Sequence, residues 1–273
     1  MSRTNKTQDF SFATLPTLEK KAFRMGVAGN YGIDSSDIRW AAEHGANYWL
    51  WGLRFNKVAE GIRDVIAKDR DRHVVAFLGW GLSGRQVRRG VEKALSRLNT
   101  DYLDVFKLGW LGRTSVYTRN VTDSLLKLKQ EGKIKAIGTS IHDRERAGRL
   151  ALDPKMDLLM IRYNAKHTGA EEDIFPHLKE RGPAVVGYTA LAWGQLIKPL
   201  KKIDAPPLTP GLCYRFALSS PHVHVVLTGP RNREQLRANF QALEQGPLDP
   251  HEMERVRRYG KQIKAKRRLD YIR

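Results

Sequence analysis

The sequence predicts an α/β fold, a closed (β/α)8 barrel of the TIM type with one additional helix at its C-terminal end. Short, continuous apolar runs alternate with amphipathic helical segments, the pattern of a parallel sheet covered by helices. Eight such strand–helix units, spanning about 220 residues, fit into a chain of 273 residues, the usual size of one barrel. Because 41% of the residues are hydrophobic, enough for one large core, we expect a single domain over residues 1–273.

The predicted elements follow this pattern in order. The strands are the apolar runs at residues 24–28, 46–51, 73–78, 102–108, 134–139, 157–162, 184–188 and 223–227. The helices have apolar residues at helical spacing and lie at residues 34–44, 56–68, 83–98, 118–131, 143–151, 170–181, 209–219 and 231–243. Residues 1–22 are expected to form an N-terminal extension, a hairpin or lid over the bottom of the barrel. Residues 250–273 supply the additional helix, which is rich in Lys and Arg.

Composition limits the classes of partner and compartment. The formal net charge of +19 would suit nucleic acid or another polyanion. No helix-turn-helix, zinc-finger or RNP motif accompanies it, so a solvated basic surface is favoured. No apolar run is long enough to span a membrane, and residues 1–12 lack the apolar stretch of a secretory signal. The single cysteine, Cys213, is typical of a reducing compartment, so we expect a cytoplasmic protein.

One helix–turn–strand segment suggests a family. Residues 94–109 read ALSRLNTDYLDVFKLG, which resembles SLxRLxxDYxDLxxxH of the aldo-keto reductases. Four further segments resemble that family in the same order, at residues 132–140 (GKIKAIGTS), 162–164 (RYN), 186–196 (VGYTALAWGQL) and 226–239 (VLTGPRNREQLRAN). The resemblance covers nearly the whole chain. It implies reduction of a carbonyl group by NADPH, with a tyrosine as general acid, a supporting lysine and aspartate, and a histidine that orients the substrate.

The resemblance also places the four catalytic positions, and none carries the family's residue. The aspartate position is Leu50, the tyrosine position Phe55, the lysine position Gly79 (or Leu78, with a shift of one residue) and the histidine position Gly109. The family's acid–base centre is therefore expected to be absent. Two other polar residues at strand ends are weaker candidates for chemistry. Lys107 could be a displaced functional amine or a structural side chain, and Arg162 could bind an anion or form an ion pair.

The cofactor side resembles the family more closely. The resemblance implies NADP(H) binding at Ser140, Tyr188, Thr189, Leu191, Gly229, Pro230, Arg231, Asn232, Gln235 and Asn239. In it, Ser140 contacts the carboxamide, Tyr188 stacks on the nicotinamide, and the helix after Gly229 holds a phosphate at its N-terminus. Two further carboxamide partners are replaced, by Ile141 and Met160.

The mouth of the barrel is expected to be aromatic and to bind a small molecule. Its predicted lining is Tyr31, Trp51, Phe55, Trp80 and Trp110. No metal is expected, because the histidines lack ligand spacing. The sequence therefore favours an NADP(H)-binding oxidoreductase of atypical active site. The alternative is a catalytically silent or non-redox barrel that acts as a ligand-binding or interaction protein, and the sequence does not predict an oligomeric state.

Overall fold

The computed structural model describes residues 9–180, 182–199 and 205–270, with side chains up to residue 265. A two-stranded antiparallel hairpin, β1 (Phe12–Leu15) and β2 (Lys20–Phe23), precedes a closed parallel barrel. The eight barrel strands are β3 (Met25–Ala28), β4 (Tyr48–Trp51), β5 (Val74–Gly79), β6 (Leu103–Leu111), β7 (Ile134–Ile141), β8 (Leu158–Arg162), β9 (Ala184–Tyr188) and β10 (Val225–Thr228). Each pairs with its neighbours in chain order, and β10 closes the barrel against β3. The predicted (β/α)8 barrel is confirmed.

Helices cover the outside of the barrel. They are α1 (Ser35–Glu43), α2 (Asn56–Lys68), α3 (Gly84–Leu98), α4 (Arg119–Gln130), α5 (Arg144–Leu150), α6 (Ala170–Asp173), α7 (Pro210–Leu218), α8 (Arg233–Glu244) and α9 (Pro250–Asp270). The helix predicted at 170–181 is wrong in length. The chain forms only the 4-residue α6 and a 3-10 turn at Phe175–His177, because Pro176 lacks an N–H and disfavours helical backbone at the residue before it.

The hairpin closes the bottom of the barrel, and residues 1–8 of the expected N-terminal extension lie outside the described residues. Leu15 and Ala22 pack into the cluster that fills the barrel interior. The fully buried carboxylate of Asp104, near the start of β6, accepts hydrogen bonds from Lys20 Nζ (2.7 Å), Arg70 Nη2 (2.8 Å) and Val75 N (2.8 Å). A buried charge is tolerated when it is paired and fully hydrogen-bonded in this way. Asp104 therefore ties the hairpin to two barrel strands.

Side chains alternate along the barrel strands between the interior and the helices. Tyr48 and Leu50 of β4 face the interior, and Trp49 and Trp51 face the helices. Tyr48 needs a glycine opposite it, since a Cβ at Gly26 would lie 2.7 Å from its Cδ1 atom. The alternation fixes which residue at each strand end points into the mouth. Within the described residues, no helix is both long and apolar enough to cross a membrane.

Candidate active site

A cavity of about 600 Å³ opens at the carboxyl ends of the barrel strands, where barrels of this type carry their sites. Of the predicted pocket residues, Tyr31, Phe55, Trp80 and Trp110 line it. Trp193, which follows β9, joins them and is 61% exposed. Rings of this size exposed around one opening are typical of a ligand-binding mouth rather than of a bare surface.

The assignment of Trp51 to this pocket is wrong. Its indole is completely buried on the outer side of β4, where it packs on Phe77 and donates from Nε1 to the Phe55 carbonyl oxygen at 3.2 Å. Trp51 is one residue beyond the inward-facing Leu50, and a shift of one residue reverses the face of a strand. Trp51 therefore supports the helices and does not reach the cavity.

The positions of the family's acid–base residues hold apolar groups. Leu50 and Phe55 line the cavity. At the end of β5 the inward residue is Leu78, whereas a Cβ at Gly79 would lie 2.7 Å from the Phe106 ring on the outer side. Of the two residues considered for the lysine position, Leu78 faces the barrel interior and Gly79 does not.

The histidine position is filled by a neighbouring ring. A Cβ at Gly109 would overlap the six-membered ring of Trp80. Trp80 thus occupies the space into which a histidine at residue 109 would project. Since this tryptophan comes from the adjacent strand end, the loss of the histidine and the presence of Trp80 are sterically linked.

Lys107 lies beneath the mouth in the barrel interior. Its side chain is fully buried, and Nζ lies 3.4 Å from the sulfur of Met160 and 3.5 Å from the hydroxyl of Tyr48. No carboxylate pairs with it among the described residues. Burial lowers the pKa of Lys107 to about 7, because an apolar surrounding disfavours the charged amine. Lys107 is therefore an unpaired interior amine, out of contact with solvent.

Arg162 ends β8 at the rim of the mouth. Its guanidinium carbon lies 6.0 Å from the centre of the Trp193 ring, a cation–π distance. It forms no ion pair with another described residue. The ion pair considered from the sequence is thus not formed within that part of the chain, and the positive charge acts on three titratable groups, His142, His167 and Tyr188.

His142 and Tyr188 form a polar pair in the cavity wall. Tyr188 Oη lies 2.9 Å from Nε2 and 3.1 Å from Nδ1 of His142, and both residues line the cavity. Burial raises the pKa of Tyr188 to about 12, against the charge of Arg162. Burial, then the charges of Arg162 and Arg113, lower the pKa of His142, so its imidazole is neutral near pH 7.

The sequence did not single out His142 as a site residue. A lone histidine has no motif, and its partner lies 46 positions away in the chain. Its place just after the end of β7 was the available signal, because strand-end loops form the mouth of such a barrel.

The loop after β9 is held in an unusual conformation. Thr189, Ala192 and Trp193 have positive φ angles of 56°, 47° and 55°, which side chains other than glycine rarely adopt. The carbonyl oxygen of Thr189 accepts a hydrogen bond of 2.8 Å from Asn164 Nδ2, which helps to fix the turn. Such strain concentrates at functional sites. Thr189 and Leu191 line the cavity beside Tyr188, and Ser140 faces them from β7.

The loop from Gly229 to Asn232 begins α8. Asn232 caps the helix by accepting from Gln235 N at 2.9 Å, and Gln235 Oε1 accepts from Arg231 N at 3.0 Å. Asn239 is buried and donates to Thr228 Oγ1 at 2.8 Å. These side chains shape the loop and bond mainly to one another.

Two arginines of this segment differ in their pairing. Arg233 forms an ion pair of 2.8 Å with Asp37 and is engaged in the fold. Arg231 is exposed and has no ion-pair partner among the described residues. The Tyr31 ring lies directly on Gly229, where any Cβ would overlap it. A helix N-terminus with one unpaired arginine beside it fits a phosphate group.

Comparison with known proteins identifies the family. The family model described as "Aldo/keto reductase family" matches residues 38–208 and 208–261. The chain belongs to the aldo/keto reductase family. The barrel superposes on an aldo-keto reductase from Bacillus halodurans, AKR11C1 in its holo form, with a TM-score of 0.78. That alignment covers 91% of this chain and 96% of the other at 22% identity, a likeness that concerns the fold alone.

Relatives within the aldo/keto reductase family are named as oxidoreductases. The chain is 25% identical over 197 residues to the NADH-specific methylglyoxal reductase of Escherichia coli (strain K12), covering 59% of this chain and 60% of that protein. It is 26% identical over 211 residues to the uncharacterized oxidoreductase YqkF of Bacillus subtilis (strain 168), covering 67% and 68%. The matched part thus falls short of two thirds of the first relative's length.

Proposed function

We propose that this aldo/keto reductase is a nicotinamide-dependent reductase of carbonyl compounds in which the Tyr188–His142 pair replaces the family's proton donor. The observation that carries the proposal is the hydrogen bond between these residues, 2.9 Å from Tyr188 Oη to His142 Nε2, in the wall of the cavity. The family's own positions at Leu50, Phe55 and Gly109 have no acidic hydrogen to give. A reductase on this scaffold therefore needs a donor elsewhere in the mouth.

The cofactor proposed is NADP(H), and aldo/keto reductases generally bind nicotinamide cofactors. Ser140 would hold the nicotinamide end, and the N-terminus of α8 would hold a phosphate. The exposed, unpaired Arg231 supports a preference for the 2′-phosphate of NADP(H), because arginine pairs well with phosphate. Reduced nicotinamide supplies a hydride to the carbonyl carbon, which leaves a charged oxygen that must gain a proton.

The protonation states of the pair suit this transfer. Because the pKa of Tyr188 is about 12, its phenol keeps its proton at neutral pH and can give it to a more basic alkoxide. Tyr188 Oη lies at nearly equal distances from the two ring nitrogens of a neutral His142, over the face of the imidazole, so the phenol hydrogen stays available to the substrate. After the transfer, the positive charge of Arg162 stabilises the phenolate.

The shape of the mouth favours bulky, apolar carbonyl compounds. The rings of Phe55, Trp80, Trp110 and Trp193 surround a cavity of about 600 Å³. Aromatic walls with few polar groups bind apolar and aromatic ligands. We therefore expect aromatic aldehydes to be better substrates than methylglyoxal, the small dicarbonyl named for one relative.

Oxidation of NADPH, followed by its absorbance with a panel of aromatic aldehydes and methylglyoxal, tests the proposal. Tyr188→Phe keeps the ring but loses the proton, and should lower kcat by about 10²–10⁴ with unchanged NADPH affinity. Tyr163→Phe is the matched control, because it removes a tyrosine hydroxyl that bonds Glu171 at 2.6 Å outside the cavity. A Tyr188→Phe enzyme with full activity would refute the proton role, and NADPH binding without turnover of any aldehyde would favour the silent or non-redox barrel.

A further inference from the structure

A second, smaller chamber of about 290 Å³ lies beside the mouth, between the loop after β4, the end of β5 and α3. Its walls include the rings of Phe55, Phe77 and Trp80. Phe55, Leu78 and Trp80 line both this side chamber and the mouth, each being common to the two cavities. The side chamber is therefore an apolar space next to the active-site cavity and distinct from it.

Three cations line the side chamber, Arg54 in the loop after β4 and two on α3, and none has an ion-pair partner among the described residues. The two on α3 are Arg89 and Lys93. The adjacent Arg88, by contrast, binds Glu131 through two hydrogen bonds of 2.7 Å and 2.8 Å. Arg89 and Lys93 are one helical turn apart, where two like charges weaken a helix. An anion between them would remove that repulsion.

A glycine in the middle of α3 keeps the side chamber open. Glycine costs helix stability at an interior position such as residue 90. A Cβ at Gly90 would meet only Phe77 Cε1, at 4.0 Å, so nothing in the backbone packing requires the glycine. The space that it leaves is part of the side chamber.

We propose that the side chamber binds a free anionic amphiphile, such as a medium-chain fatty carboxylate. Its apolar body would lie against Phe55, Phe77 and Trp80, and its head would pair with Arg89 and Lys93. The cations at the edge attract the charged head of such a molecule. The apolar walls bind its hydrocarbon chain. Because Trp80 also covers Gly109, an occupant of the side chamber contacts a ring of the active-site mouth.

Calorimetric titration with decanoate below its micelle concentration, and with decanol as the uncharged probe, tests the proposal on the full chain. Decanoate should bind more tightly than decanol, and added salt should weaken only decanoate. The double variant Arg89→Gln with Lys93→Gln should weaken the binding of decanoate about fivefold, as expected for the loss of two partly exposed ion pairs. The affinity for decanol should not change. Arg85→Gln, one turn earlier on α3 and outside the lining, is the matched control.

A second pair of variants tests the position of the ligand without depending on charge. Gly90→Phe should abolish decanoate binding because its ring fills the side chamber, whereas Gly90→Ala should retain binding. Both variants should fold, because alanine and phenylalanine have higher helix propensity than glycine. Equal binding of decanoate by Gly90→Phe and wild type would overturn the proposal. So would binding only to vesicles containing anionic lipid, which would assign the cations to a membrane surface. Binding is measured without cofactor, so failure here is separable from failure of the reductase activity.

Discussion

Replacement of Lys107 by methionine should stabilise the protein at neutral pH. Methionine is unbranched and of similar length, and the surroundings of the amine are the sulfur of Met160, at 3.4 Å, and the ring of Tyr48. The Tyr48 hydroxyl, at 3.5 Å, is at the limit of a hydrogen bond, so little is lost there. The variant removes the cost of keeping an amine in an apolar interior.

The size of the effect follows from the pKa. A fall in the pKa of Lys107 from 10.5 to about 7 means that, between these values, the unfolded chain is protonated and the folded chain is not. The free energy of unfolding of the wild type therefore rises with pH in this window, by about 1.4 kcal/mol per pH unit from this group. Lys107→Met should be more stable than wild type by about 4 kcal/mol at pH 7 and by about 2 kcal/mol at pH 9.

Urea unfolding at pH 7, 8 and 9, followed by circular dichroism, measures this difference. Lys68→Met, an exposed lysine of α2, is the control and should show no change with pH. Comparison of the two proteins at each pH cancels other groups, including Cys213, whose pKa burial raises to about 12. A stability difference that does not vary with pH, or a Lys107→Met protein less stable than wild type at pH 7, would refute the reasoning.

Three further outcomes are expected. Asp104→Asn should destabilise the protein by about 3 kcal/mol in urea unfolding, because it breaks a buried ion-pair cluster; a change below 1 kcal/mol would contradict this. Gly109→Ala should cost about 1–3 kcal/mol through overlap with Trp80, and the cost should largely disappear in a Trp80→Ala background, as a double-mutant cycle of unfolding free energies would show. Arg231→Glu should raise the Kd of NADPH about tenfold or more and leave that of NADH within about twofold, whereas the control Arg237→Glu, on α8, should change neither Kd by more than about twofold; equal losses for both cofactors would place Arg231 away from the 2′-phosphate.

The barrel was predictable because its signals are local and repeated. Each strand is a short apolar run, most helices have their own apolar period, several begin at a side-chain cap, and eight repeats leave few alternatives. The failure at 170–181 has a local cause, the proline at residue 176, which the sequence already contains. There the backbone restriction at the proline overrides the apolar spacing of the segment.

The site was predictable only in outline. The errors at Trp51 and Gly79 are each one residue at a strand end, where the side-chain direction reverses. The filling of the histidine space by Trp80 depends on how two neighbouring strand ends meet, and the Tyr188–His142 bond joins β9 to the loop after β7. Neither contact corresponds to a recognisable motif in the sequence, because both form only when the barrel closes. The side chamber depends on the packing of α3 against β5 and has no motif either.

The most direct test of the account is single-turnover oxidation of NADPH with an aromatic aldehyde, in H2O and D2O, for wild type and Tyr188→Phe. The account predicts turnover by the wild type, slower in D2O because a proton moves in the same step, and a loss of about 10²–10⁴ in rate in the variant. Equal rates for the two proteins, or a wild type that binds NADPH and never oxidises it, would contradict the claim that Tyr188 with His142 supplies the proton in this barrel.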